Sequence, residues 1–163
     1  MTRLPHWIGR ALCLLSIVAT APIAIAADLA GRVVSVHDGD TLTLLVERRQ
    51  VKVRLTEIDA PELRQPFGTR SRQALAEVCA GKAAQVDDRG KDRYGRTLGR
   101  GSCAGVDANA EQVRRGMAWV YDRYVTDRGL YTLQNDARAA RRGLWADPRA
   151  MPPWEWRRTK VGN

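Results

Sequence analysis

Three acidic residues stand beside predicted strands, where their carboxylates could share one metal ion. Asp40 lies in the turn between two predicted strands, and Asp59 and Glu62 follow a third. In a meander these strand ends can meet, and clustered carboxylates are costly unless a cation lies between them. Carboxylates without nearby His or Cys suit a hard divalent ion such as Ca²⁺. Asp-Gly and Asp-x-Pro-Glu are also ordinary turn sequences, so these residues alone leave both interpretations open.

Two arginines extend this pattern toward phosphate chemistry. Arg54 lies five residues before Asp59 on the same predicted strand, and Arg96 follows the Tyr94-Gly95 turn. Planar guanidinium donors stabilise the negative charge that grows on a phosphodiester in its transition state. A metal ion, a carboxylate that activates water and two arginines form a complete set for phosphodiester hydrolysis. Any single one of the 23 arginines is, however, more often a solvated surface residue.

The elements that would position these residues form a β-rich α+β domain. Alternating and β-branched runs around an Asp-Gly turn predict an antiparallel meander of three strands, followed by two further strands and three helices. A Pro- and Trp-rich segment over 148–158 is predicted to be an extended tail. The predicted strands are 31–36, 41–47, 51–58, 82–87 and 96–102, and the predicted helices are 69–80, 109–118 and 127–142.

Charge and composition restrict the class of protein. The chain has 163 residues with 27 Lys+Arg against 18 Asp+Glu, a formal net charge of +9. Its 44% hydrophobic and 28% charged content excludes a disordered polyelectrolyte and a polytopic membrane protein. The basic excess favours a polyanionic partner such as nucleic acid, anionic lipid or a cell-wall polymer.

The first 26 residues have the features of a signal peptide. Arg3 and Arg10 precede a short apolar run over 11–19, and Ala24-Ile25-Ala26 is a small-x-small cleavage site. A membrane anchor is the alternative, but Pro22 interrupts the apolar stretch and no charged stop-transfer segment follows. We therefore expect cleavage near Ala27 and a periplasmic or secreted protein without stable membrane anchoring.

Cysteine usage agrees with export. Cys13 would leave with the signal peptide, which leaves Cys79 and Cys103 as an even pair in an oxidising compartment. A disulfide between them is predicted, and two free buried thiols are the alternative.

Five stretches of the chain have a distinctive order and spacing: Val36–Thr41, Val53–Glu62, Asp92–Arg96, Val113–Tyr121 and Gly143–Trp145. Together they resemble the staphylococcal nuclease (thermonuclease) family. The order and spacing of the first three stretches match the family's signature motifs, and the resemblance covers about residues 30–146. A sixth stretch, Pro152–Arg157, resembles the tail of exported bacterial relatives.

The resemblance implies a fold and an activity. The expected fold is an OB-fold, a five-stranded β-barrel with three α-helices over residues 27–146, followed by a tail over 147–163. The expected activity is a Ca²⁺-dependent endonuclease that cuts DNA and RNA with little sequence specificity and leaves 3′-phosphate ends. We expect a monomer. The alternatives are an inactive OB-fold module that binds nucleic acid and, on charge alone, a basic cell-wall-binding protein.

The resemblance also implies roles for individual residues. Asp40, Asp59 and the carbonyl of Thr41 match Ca²⁺ ligands, Glu62 matches the residue that activates water, and Arg54 and Arg96 match phosphate-binding arginines. Arg93 and Tyr94 match positions near a terminal phosphate, and Tyr121 and Tyr124 lie where the family places aromatic residues near the nucleotide. For Trp154 and Trp156 in the tail, packing against the barrel is favoured over base stacking.

Overall fold

The fold is built on strands that close into a barrel. The structure is a computed structural model that describes residues 29–161, so the predicted signal peptide and its cleavage near Ala27 lie outside the described residues. The strands are Leu29–Val36 (β1), Thr41–Val46 (β2), Arg49–Leu55 (β3), Ile58–Asp59 (β4), Ala83–Lys91 (β5), Thr97–Cys103 (β6), Val106–Asp107 (β7) and Trp119–Val120 (β8).

Five strands make the barrel wall. They lie in the order β3-β2-β1-β5-β6 with antiparallel neighbours, and a parallel pairing of β3 with β6 closes the ring. The short β4 pairs with β8 outside this wall, and β7 pairs with the end of β6. The predicted meander and the five-stranded barrel of the OB-fold are both confirmed.

Alternation along the strands fills the barrel interior. In β6 every second residue from Thr97 to Cys103 is buried, and in β3 the side chains of Val53 and Leu55 are fully buried. These side chains pack with Leu44 of β2 into one hydrophobic core. A barrel with such an interior is a rigid support for residues at its rim.

The helices pack on the strands and on one another. They are Gly68–Cys79 (α1), Ala108–Arg114 (α2), Gly129–Ala139 (α3) and Pro153–Val161 (α4), with a short 3₁₀ helix at Gly143–Ala146. Helix α1 contacts β1, α2 contacts β6, and α2 also contacts α1 and α3.

The second helix begins and ends earlier than the sequence predicts. The predicted helix covers 109–118, whereas α2 is Ala108–Arg114 and its cap is Asp107, whose side chain accepts a backbone N–H of the first turn. Asn109 is buried and donates to the carbonyl oxygen of Thr56 at 2.6 Å. The amide of Asn109 therefore makes a tertiary contact from within the first turn of the helix.

The expectation of an extended tail was also wrong. Part of the segment 148–158 lies in α4, so residues 29–161 contain four α-helices rather than the three predicted. Pro153 occupies the first helical position, where its missing N–H costs nothing and its fixed φ suits a helix. The N–H groups of Glu155 and Trp156 both donate to the carbonyl of Pro152 at 3.1 Å.

A disulfide links Cys79, the last residue of α1, to Cys103, the last residue of β6. Both cysteines are buried in the hydrophobic core, and the prediction that they are bonded is confirmed. Between residues 29 and 161, no helix has both the length and the apolar character needed to span a bilayer.

Candidate active site

A buried pair of aspartates lies at one end of the barrel with an arginine between them. Arg54 of β3 contacts Oδ1 of Asp40 through Nε at 3.0 Å and Oδ1 of Asp59 through Nη2 at 2.9 Å. The pairing of β2 with β3 places Thr41 opposite Arg54, which brings Asp40 to that arginine. The meander therefore gathers three of the residues that the sequence singled out.

The surroundings of Asp40 favour a cation. Its Oδ2 accepts the backbone N–H of Ala60 at 2.6 Å, and only 4% of the residue is exposed. Burial raises the pKa of Asp40 to about 8; the charge of Arg54 opposes this shift, and those of Asp38 and Asp59 reinforce it. A divalent cation would stabilise the ionised form that burial disfavours. The donor types, buried carboxylate oxygens without sulfur or imidazole, fit Ca²⁺.

The predicted backbone ligand is already engaged in the turn. The carbonyl oxygen of Thr41 accepts the backbone N–H groups of His37 at 2.9 Å and Asp38 at 3.5 Å. The Thr41 hydroxyl donates to Oδ1 of Asp40 at 3.0 Å, so this residue supports Asp40 directly. Its carbonyl as a metal ligand stays a prediction.

Glu62 projects from the loop after β4 and is held by its backbone. Its N–H donates to Oε1 of Gln65 at 3.2 Å, and the N–H of Gln65 donates back to the Glu62 carbonyl at 2.8 Å. Gly68 is needed here, because a Cβ at that position would lie 1.9 Å from the Glu62 carbonyl oxygen. With 42% of the side chain exposed, the carboxylate of Glu62 can be reached by water.

The second predicted arginine lies in a different cluster. Nε and Nη2 of Arg96 contact Oδ2 of Asp92, each at 2.7 Å, and its guanidinium lies 5.5 Å from the ring centre of Tyr94. Arg93 covers the same ring at 4.9 Å, and Tyr94 is well exposed. Burial raises the pKa of Asp92, but the hydrogen bonds and charge of Arg96 lower it by more, so the net shift is downward. Arg93, Tyr94 and Arg96 thus form one basic turn with an exposed aromatic ring.

The predicted nucleotide-binding tyrosines contact each other and the C-terminal helix. The rings of Tyr121 and Tyr124 meet edge to face at 5.2 Å, and Trp154 stacks on Tyr121 at 5.4 Å with an interplanar angle of 10°. The N–H of Tyr121 donates to the carbonyl of Glu57 at 2.8 Å, which fixes this segment beside β4. Trp154 therefore packs on Tyr121, beside β8 and outside the barrel wall, and covers one face of that ring.

Arg157 is a site residue that the sequence did not single out. Its Nη2 contacts Oδ2 of Asp59 at 2.7 Å, and its Nη1 contacts Oε1 of Glu62 at 2.8 Å. Trp154 and Arg157 are three residues apart and share one face of α4, but the sequence alone does not show which residues that face contacts. Over the described range, 29–161, no three His, Cys, Asp or Glu side chains form an open metal cage, since Arg54 and Arg157 lie between the carboxylates.

Comparison with known proteins identifies the family to which the chain belongs. The family profile described as "Staphylococcal nuclease homologue" matches residues 52–147. The chain is 44% identical to a protein named micrococcal nuclease from Shigella flexneri, over 91% of this chain and 94% of that protein.

Two proteins of Escherichia coli are similar over comparable lengths. An uncharacterized endonuclease of strain O157:H7 is 46% identical over 83% of this chain and 90% of its own. Protein ParB is 42% identical over 97% of this chain and 95% of its own. The chain therefore belongs to the staphylococcal nuclease family and is a nuclease.

Proposed function

We propose that this nuclease is a Ca²⁺-dependent endonuclease that cuts DNA and RNA with little sequence preference and leaves 3′-phosphate ends. The observation that carries the proposal is the placement of Arg54 between the buried carboxylates of Asp40 and Asp59, with the exposed carboxylate of Glu62 on the following loop. This arrangement combines oxygen ligands for a hard cation, a phosphate-binding group and a base.

Each residue supports a part of the hydrolysis. Asp40 and Asp59, with the Thr41 carbonyl as the predicted backbone ligand, would hold Ca²⁺, which polarises a phosphate oxygen when bound. Glu62 accepts a proton from the attacking water as its oxygen bonds to phosphorus. Arg54 donates to the nonbridging oxygens as their negative charge grows.

The products follow from which bond breaks. Water adds to phosphorus, the bond from phosphorus to the 5′-oxygen breaks, and the departing 5′-oxygen takes up a proton. The phosphate stays on the 3′-oxygen of the other fragment. In this step Arg96 would leave Asp92 and donate to the phosphate instead. The exposure of the turn that carries Arg96 supports this change of partner.

The predicted substrate range rests on the kind of groups available for contact. Arginines and exposed aromatic rings such as Tyr94 and Tyr124 bind backbone phosphate and stacked bases, which every nucleic acid offers. We expect single strands and flexible duplexes to be cut fastest.

We also propose that the protein is exported and acts as a monomer. The buried disulfide between Cys79 and Cys103 supports an oxidising compartment. Mass spectrometry of the protein from a periplasmic extract should show a chain that begins near Ala27, and light scattering should give the mass of one chain. A full-length chain or a dimer would contradict these expectations.

The test of the activity uses the purified mature chain with plasmid and denatured DNA, in Ca²⁺ and in chelator. We expect cleavage in Ca²⁺ only. Fragments of a strand that carries a fluorescent label on its 5′ end should change mobility after phosphatase treatment, because only their 3′ end can carry phosphate. Cleavage that persists in chelator would refute the metal mechanism. Binding without cleavage at every Ca²⁺ concentration would instead support the inactive nucleic-acid-binding module.

A further inference from the structure

The C-terminal helix brings a second guanidinium group to the acidic site. Arg157 of α4 contacts both oxygens of Asp59, at 2.7 Å and 3.3 Å, and one oxygen of Glu62 at 2.8 Å. These two carboxylates belong to the proposed metal ligand and the proposed base. The guanidinium group of Arg157 therefore bridges Asp59 and Glu62, the two carboxylates between which the reaction would occur.

Packing and hydrogen bonds hold α4 in this position. Trp154, three residues before Arg157, stacks on Tyr121, and Pro153 is buried. Just before the helix, the carbonyl of Met151 accepts a hydrogen bond from Nε2 of Gln65 at 2.6 Å. Gln65 also accepts the N–H of Glu62, so one side chain connects the tail to the loop of the base.

Arg157 lies beside Glu62, where its guanidinium could also donate to a bound phosphate. Arg96, for which the resemblance implies that role, instead contacts Asp92 in the basic turn. In the described part of the chain, Arg54 and Arg157 are the arginines whose ion pairs reach the carboxylates of the site.

We propose that Arg157 is a phosphate-binding residue of this nuclease, which gives up Asp59 when a divalent cation is bound and keeps Glu62. This inference rests on the proposed function. Its Nη2, once released from Asp59, donates to a nonbridging oxygen of the substrate, while Nη1 continues to hold the base.

The exposure of the two arginines decides which of them yields to a cation. Arg54 has 14% of its side chain exposed, whereas Arg157 has 43% and lies on the C-terminal helix. Displacing Arg157 costs less because water can solvate its free end. Arg157 can keep its contact to Glu62 when the cation binds, because Glu62 is not one of the proposed cation ligands. The side chain of Glu62 is itself 42% exposed.

The experiment compares Arg157→Gln with Arg158→Gln, a control at an exposed position of the same helix. Calorimetry with Ca²⁺ alone should show about tenfold tighter binding for Arg157→Gln, since a charge-assisted hydrogen bond to Asp59 no longer competes. At saturating Ca²⁺ its kcat on a single-stranded oligonucleotide should fall about 100-fold, the effect of removing one transition-state donor. Arg158→Gln should match the wild type in both measurements.

Opposite outcomes overturn the proposal. A kcat that is unchanged or higher at saturating Ca²⁺ would make Arg157 a mere competitor for the metal. Unchanged Ca²⁺ affinity would show that Arg157 does not hold Asp59. Circular dichroism checks that each variant is folded. Arg157→Lys keeps the positive charge but lacks the two-pronged guanidinium group, so its Ca²⁺ affinity and kcat should lie between those of the wild type and Arg157→Gln.

A failure of the proposed function would look different. If the wild-type protein binds but does not cut DNA, the activity is refuted while the calorimetric comparison still tests the contact to Asp59. Fluorescence anisotropy of a labelled oligonucleotide in Ca²⁺ would then test the phosphate contact, with weaker binding expected for Arg157→Gln and equal binding as the refuting result.

Discussion

Removal of the disulfide should destabilise the nuclease by an amount set by the length of the loop it closes. Cys79 and Cys103 are 24 positions apart, so the bond restricts a loop of moderate length in the unfolded chain. The loop-entropy relation gives about 3 kcal/mol for such a loop at 25 °C. For a domain of this size that loss corresponds to a decrease in Tm of about 10 °C.

The assay is urea denaturation of three variants: Cys79→Ala, Cys103→Ala and the double variant. If the two cysteines act as one bond, each single substitution abolishes it, and the double substitution adds little more. All three variants should therefore lose about 3 kcal/mol, because the cost comes from the bond rather than from either buried side chain. The cavity left by a missing Sγ is small by comparison.

Additive effects of the two single substitutions would refute this reasoning, because they would mean that the side chains contribute separately. A loss below about 1 kcal/mol in the double variant would equally refute the calculated loop contribution. As a control, wild-type protein kept reduced throughout the urea titration should match the double variant.

Two further substitutions test the charged groups that position the site. Glu57 is buried, and Arg89 and Thr126 contact it; burial opposes ionisation, but these contacts prevail and lower its pKa. The ion pairs of Glu57 therefore stabilise the fold fully above its ordinary pKa near 4.5, and this stability is lost as the pH falls through the lower pKa of the folded state. Glu57→Gln should lower the free energy of unfolding by about 2 kcal/mol at pH 7 and by progressively less in acid. Urea denaturation at several pH values measures this, and a difference that does not change with pH would contradict it. Arg54→Lys should lower kcat by about 100-fold or more in a steady-state assay, because one ammonium cannot contact both Asp40 and Asp59 as the fork does; activity within threefold of wild type would contradict that role.

The sequence predicted the meander and the acidic pair because both depend on local patterns. Alternation in β3 predicts which face is buried, and the Asp-Gly turn predicts the hairpin that carries Asp40. Once the meander forms, the pairing of β2 with β3 alone brings Asp40 next to Arg54, and no long-range contact is needed to place them together.

The tail and the partners of exposed arginines could not be predicted in this way. Pro152 and Pro153 suggest an extended chain, and only the absence of a helix breaker between Trp154 and Val161 favours α4. The partners of Arg157 lie 95 and 98 residues away, and such contacts depend on how α4 packs rather than on any local pattern. Arg96 shows the opposite case, because Asp92 four residues earlier captures it within its own turn.

The most direct test of the account is the single-turnover cleavage rate of Glu62→Gln at saturating Ca²⁺, with Ca²⁺ binding measured on the same protein. The control is Glu47→Gln, an exposed position in the turn between β2 and β3, at the end of that hairpin away from Asp40. A base that takes the proton from water contributes about 10²–10⁴-fold. We predict a loss in that range for Glu62→Gln with Ca²⁺ still bound, and wild-type rates for the control. A Glu62→Gln rate within threefold of wild type would contradict the assignment of Glu62 as the base.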